Sequence, residues 1–149
     1  MSISENKLNS AWWALRIGLG VGPFLAGLDK FFNVLTNWEL YLSPAVERLL
    51  PVSGTTFMHA VGVIEMIVGL AILTRWTRIV SYVAMLWLVL IAGNLLATGR
   101  FLDVAVRDLE MAIAAYTLAR LTEQRQTVTD SQPMPLGGHS THTLLANQE

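Results

Sequence analysis

The sequence predicts an all-α integral membrane protein, a four-transmembrane-helix bundle with an outer amphipathic helix between the first and second spans. Three observations predict it. The 149-residue chain is 53% hydrophobic and only 14% charged, with a mean hydropathy of +0.48. A water-soluble domain carries about a quarter charged residues, so much of this apolar surface has to face lipid. Four apolar segments approach the ~20 residues needed to cross a bilayer. None of them alternates apolar and polar residues as a membrane-barrel strand does.

The first span is placed at about Ser10 to Leu35. The polar stretch before it carries both Glu5 and Lys7, and no small-residue cleavage site follows a short apolar core, so the segment is expected to stay as an anchor. Pro23 is expected to kink it. The connection "TNWELYLSPAVERLLPVSG" has an apolar stripe through Trp38, Tyr41, Leu42, Val46, Leu49 and Leu50. It reads as a short helix lying on the bilayer surface, broken at Pro44 and ended by Pro51. The second span runs from about Thr56 to Leu73, the third from about Ile79 to Leu96 and the fourth from about Leu102 to Leu121. The third, "IVSYVAMLWLVLIAGNLL", has no charge. Arg75, Trp76 and Arg78 in "TRWTR" form an interface anchor between the second and third spans.

Residues 1–122 form the expected membrane domain, and 123–149 a polar tail, disordered or used for docking. His139 and His142 have helix-ligand spacing, but the segment is a poor helix former and offers no third ligand, so no metal is expected. The chain has no cysteine, which excludes disulfides, thiolate metal sites and thiol redox chemistry of its own. A net charge of −1 gives no field that attracts nucleic acid. Lys7, Arg75, Arg78, Arg120 and Arg125 lie on one side of the expected membrane, Arg48 and Arg100 on the other. That bias places both termini in the cytoplasm.

Ionisable groups inside spans are costly and face the protein interior. On this topology Lys30, His59, Glu65, Asn94, Arg107 and Asp108 fall at similar depths on four helices, toward the outer side. Arg16 lies about 20 Å below Lys30 along the first helix. The six groups can converge on one polar pocket whose charges roughly balance, as low dielectric demands. Each has a structural alternative. Lys30 can snorkel to water, and so can Arg16, toward the inner side. Asp29 can cap backbone groups. His59 can sit at the interface. Asn94 can join helices by hydrogen bonding. Arg107 can pair with Glu110 or Asp103 on its own helix. Glu65 is too short to reach either interface and needs an internal partner or a proton. Gly18, Gly20, Gly22 and Gly27 in the first span and Gly62 and Gly69 in the second allow close helix packing, or leave room for a flat ligand. Tyr82 and Trp87 can stack on a ring or face lipid.

These residues resemble the DoxX family of small bacterial membrane proteins. The resemblance lies in Arg16 of "LRIGLG", in "GLDK" from Gly27 to Lys30, and in "GVIEMIVG" from Gly62 to Gly69. It covers Leu8 to Leu121 and not the tail, and this chain has Ala26 where many relatives have His. The resemblance implies a four-helix protein of the bacterial cytoplasmic membrane. Some relatives are subunits of thiosulfate:quinone oxidoreductase, and others accompany redox proteins. The expectation is therefore a membrane subunit of a quinone-linked redox system, with other membrane or redox subunits as partners, no covalent cofactor and a quinone as the ligand of the pocket. The alternative is a non-catalytic accessory or assembly subunit. A small transporter is disfavoured, because four short spans offer little for alternating access.

Overall fold

The computed structural model describes residues 3–130, with side chains from residue 6 to residue 127. Every secondary-structure element among them is helical: α1 (Ile3–Asp29), a 3-10 turn (Trp38–Tyr41), α2 (Pro44–Leu49), α3 (Gly54–Ile72), α4 (Thr77–Thr98) and α5 (Leu102–Asp130). The long helices close a ring: α1 packs on α3, α3 on α4, α4 on α5 and α5 back on α1. Three of them are long and apolar enough to cross a membrane, at Asn6–Asp29, Gly54–Ile72 and Thr77–Thr98. The fourth long helix, α5, has 29 residues but carries Asp103, Arg107, Asp108 and Glu110 near its start.

Glycine sets the α1–α3 seam. A Cβ at Gly27 would run into the carbonyl oxygen of Gly62, and one at Gly62 would lie 2.6 Å from the carbonyl oxygen of Gly27. Seven residues away on each helix the contact repeats between Gly20 and Gly69, antiparallel. Gly18 and Gly22 face open space, so only alternate glycines of α1 serve packing. Alanine fills the same role on α5. Ala105, Ala112, Ala115 and Ala119 are buried, and the stripe they mark also holds Asp108 and Thr122. Outward, α1, α3, α4 and α5 all show large apolar side chains, such as Leu25, Ile67, Leu86 and Ile113. On α5 the outward row runs Val106, Leu109, Ile113 and Tyr116.

Several boundaries differ from those the sequence suggests. The first helix ends at Asp29, not near Leu35. The Asp29 carboxylate accepts from Val34 N at 3.0 Å and from Leu35 N at 3.1 Å, which turns the chain over the helix end. Asn33 takes a left-handed φ of 52° in that turn, a conformation Asn tolerates better than most residues. The helix runs on through Pro23. The surface helix is two short pieces. Pro44 begins the second rather than breaking the first, because Ser43 caps it through Val46 N and Pro44 fills the first turn, where no amide partner is needed. The last helix continues to Asp130, beyond Leu121. Glu123 there accepts from Arg78, Tyr82 and Arg120, which ties residues read as the start of the tail to α4. Residues 131–149 of that tail, with His139 and His142, lie outside the described residues.

Candidate functional site

Lys30 is the first residue past α1, and Gly62 decides where its side chain starts: the Lys30 Cβ lies 3.1 Å from where a Gly62 Cβ would be. From that seat it turns inward. The Lys30 ammonium donates to Glu65 Oε2 at 2.5 Å. Lys30 is 5% exposed and Glu65 8%. The ammonium also lies 3.7 Å from the centroid of the Trp38 ring, a distance at which the ring face attracts a cation. Trp38 is held there from the other side, because its indole N–H donates to Asp29 Oδ2 at 2.8 Å. Asp29, itself buried, thus closes α1, folds the following loop back and fixes the ring that covers Lys30.

Asp108 reaches the same region from α5. It is 7% exposed and lies near Lys30 and Glu65 without a direct ion pair or hydrogen bond to either. Its nearest cation on α5 is Arg107, with Nε at 3.9 Å, but the Arg107 side chain is 62% exposed. The charges in the buried cluster therefore do not balance as the sequence suggests. Arg107 turns outward, leaving the Lys30 ammonium with the buried carboxyls of Glu65, its ion-pair partner, and of Asp108, while the buried Asp29 carboxyl is taken up by Trp38, Val34 and Leu35. Asp103 and Glu110 are exposed as well, so the ion pair Arg107 makes is with its neighbour Asp108 rather than with either of them.

The six residues expected to converge divide into two sets. Lys30, Glu65 and Asp108 come together. His59 is half-buried, its ring stacked on Phe31 with centroids 4.7 Å apart and planes 11° from parallel. Asn94 serves the architecture instead. Its Oδ1 accepts from Ser43 N at 3.1 Å and its Nδ2 donates to Tyr41 O at 2.7 Å. It pins the surface loop to α4 rather than facing the charges. Arg107 leaves the pocket, as above.

Arg16, half-buried, sits at the opposite end of the bundle. Its guanidinium donates to the carbonyls of Ile72, Leu73 and Thr74 at 3.1, 2.6 and 2.6 Å. It thereby caps the C-terminal end of α3, where the helix leaves carbonyls unpaired and the dipole favours a cation. Tyr82 is engaged with Glu123. The hydroxyl of Ser81 and the indole N–H of Trp87 are buried without a hydrogen-bond partner among the described residues.

Trp38 is the site residue that sequence reasoning missed. It reads as part of a surface stripe, and only the turn made by Asp29 brings it over Lys30. Comparison of the chain with family models, with curated proteins and with solved structures finds no match in any of the three.

Proposed function

We propose that the chain is a DoxX-like, multi-pass protein of the bacterial cytoplasmic membrane, and that Lys30, Glu65 and Asp108 form the polar site at which it binds a quinone-like ligand of a redox system. On this reading α5 is the fourth span and both termini are cytoplasmic. The apolar outer row of α5, Val106 to Tyr116, supports that placement, because the charged residues of its first turns fall near a span end.

One observation carries the reading: a buried ammonium, Lys30, with the carboxyls of Glu65 and Asp108, while the neighbouring Asp29 carboxyl is already satisfied by donors from Val34, Leu35 and Trp38. In low dielectric such a cluster balances when it takes up one proton. Reduction of a quinone consumes protons as well as electrons, so a proton-loading group beside a bound ring is what the chemistry needs. Electrons come from a partner or from the substrate. The pairing of the motif residues across the α1–α3 seam, Gly27 on Gly62 and Lys30 on Glu65, supports the family resemblance.

The test is binding of a short-chain quinone to the purified full-length protein in detergent, with Glu65→Gln and Lys30→Met. Clear weakening is expected in both variants while helicity is kept. Unchanged binding in both would remove the proposed site.

The closed Gly27–Gly62 seam favours a second reading, an accessory subunit that packs against a larger membrane complex. A single stoichiometric partner that co-purifies in mild detergent, with no quinone binding, would select it.

A further inference from the structure

The Lys30 ammonium is closed off: the residue is 5% exposed, and no ligand can reach it in this arrangement. Part of the enclosure belongs to a long helix, through Gly62 and Glu65 of α3. Another part is the Trp38 ring, whose centroid lies 3.7 Å from the ammonium. Trp38 stands outside the long helices, on the 3-10 turn of the loop between α1 and α2.

That loop is fastened at its two ends. Near α1, the stretch from Val34 to Trp38 is tied down through one carboxylate: Asp29 accepts from Val34 N, from Leu35 N and from the Trp38 indole N–H. At the far end, Asn94 of α4 holds Tyr41 O and Ser43 N, and the Tyr41 ring packs on Phe101 with centroids 4.5 Å apart. Between the anchors, residues 31–35 are exposed. Asn33, at a φ of 52°, sits between the helix end and the turn, the kind of position that absorbs a hinge rotation. Swinging the ring aside breaks the indole–Asp29 hydrogen bond and the cation–π contact. It requires no hydrogen bond within a long helix to break.

We propose that Trp38 is a lid, here closed, that swings out to admit a ligand to Lys30, with Asp29 as its latch. The lid rests on the reading of the Lys30 cluster as a ligand site, and its test needs no ligand.

Amine acetylation reads the lid. Lys7, exposed on the first turns of α1, and Lys30 are the chain's only lysines, so peptide mass spectrometry separates them and Lys7 serves as the reference. The full chain in dodecyl maltoside is treated with sulfosuccinimidyl acetate. Lys30 is expected to react far more slowly than Lys7. Trp38→Ala is expected to speed Lys30 about ten-fold, the worth of a desolvated cation–π contact and one hydrogen bond. Trp38→Phe keeps a ring, loses the latch and is expected to have a smaller effect. Leu40→Ala, exposed on the same turn, is expected to change nothing. Opening is tested by tying the loop to α3. Glu39 accepts from the Thr55 hydroxyl. Glu39→Cys with Thr55→Cys, joined by a short reducible bis-thiosulfonate, is expected to stop Lys30 labelling until the link is reduced. The wild-type rate in Trp38→Ala, an equal rise in Leu40→Ala, or undiminished labelling in the linked chain overturns the lid. Failure of quinone binding with the expected labelling intact sinks the ligand reading and leaves the lid in place.

Discussion

At residue 30 the chain leaves α1, and the direction its side chain takes decides what the charged cluster is. An ammonium on a four-carbon stem near a span end has water within reach. Lys30 turns the other way because Glu65 waits inside the bundle, and because Trp38 covers it from above. Removing one partner strands the other charge in low dielectric, at a cost of about 3–5 kcal/mol. Lys30→Met and Glu65→Gln are therefore each expected to lower the thermal midpoint of the detergent-solubilised protein, and the double variant less than the two added together. Additive losses would mean the two side chains do not share their charge. Glu65 is legible as needing a partner from its flanks alone, "HAVGVI" and "MIVGLAIL". Trp38 is not, since its place over Lys30 depends on a turn that Asp29 makes after the helix. Arg107 and Asp108 are adjacent, and their opposite fates follow from the stripe of small residues. Asp108 lies on the buried stripe of Ala105, Ala112 and Ala115, and Arg107 lies one position off it.

At the scale of elements, the α1–α3 seam is defined by four glycines spaced seven apart on each helix. A branched side chain at Gly27 has to push against the backbone of α3, which cannot yield as a flexible side chain can. Gly27→Val is expected to destabilise the protein by about 1–3 kcal/mol, as overpacking does, and to separate Lys30 from Glu65. Gly22→Ala faces open space and is expected to be neutral or slightly stabilising, since alanine favours helix. Thermal melts of the two variants check this; equal losses would place Gly22 in a contact. The sequence contains both sets of glycines, but composition alone does not separate the packed from the outward ones. Helix ends are the least legible feature. Asp29 and Ser43 set two of them through side-chain hydrogen bonds that no periodicity reports.

For the whole molecule, three helices are apolar enough to cross a membrane, and α5 decides the topology. If it spans, Asn6 and Gln126 lie on the same side, and Asn37 on the other. The absence of native cysteine makes this a clean single-cysteine labelling experiment. Asn6→Cys and Gln126→Cys are expected to react with an impermeant maleimide only after the membrane is opened, and Asn37→Cys on intact cells. Labelling of Gln126→Cys on intact cells would leave α5 outside the bilayer. The bundle architecture is legible because apolar length is a strong signal, whereas the fourth helix hides its apolar row behind the charges of its first turns. All of the functional reading turns on whether the Lys30–Glu65–Asp108 cluster exchanges a proton with a bound quinone-like ligand. Infrared difference spectroscopy, recorded as a short-chain quinone is added to the protein, reads that proton directly. A carboxyl C=O band is expected to change on binding, and the change is expected to be lost in Glu65→Gln or Asp108→Asn. The absence of any carboxyl change on binding, or the same change in both variants, would contradict the proposal.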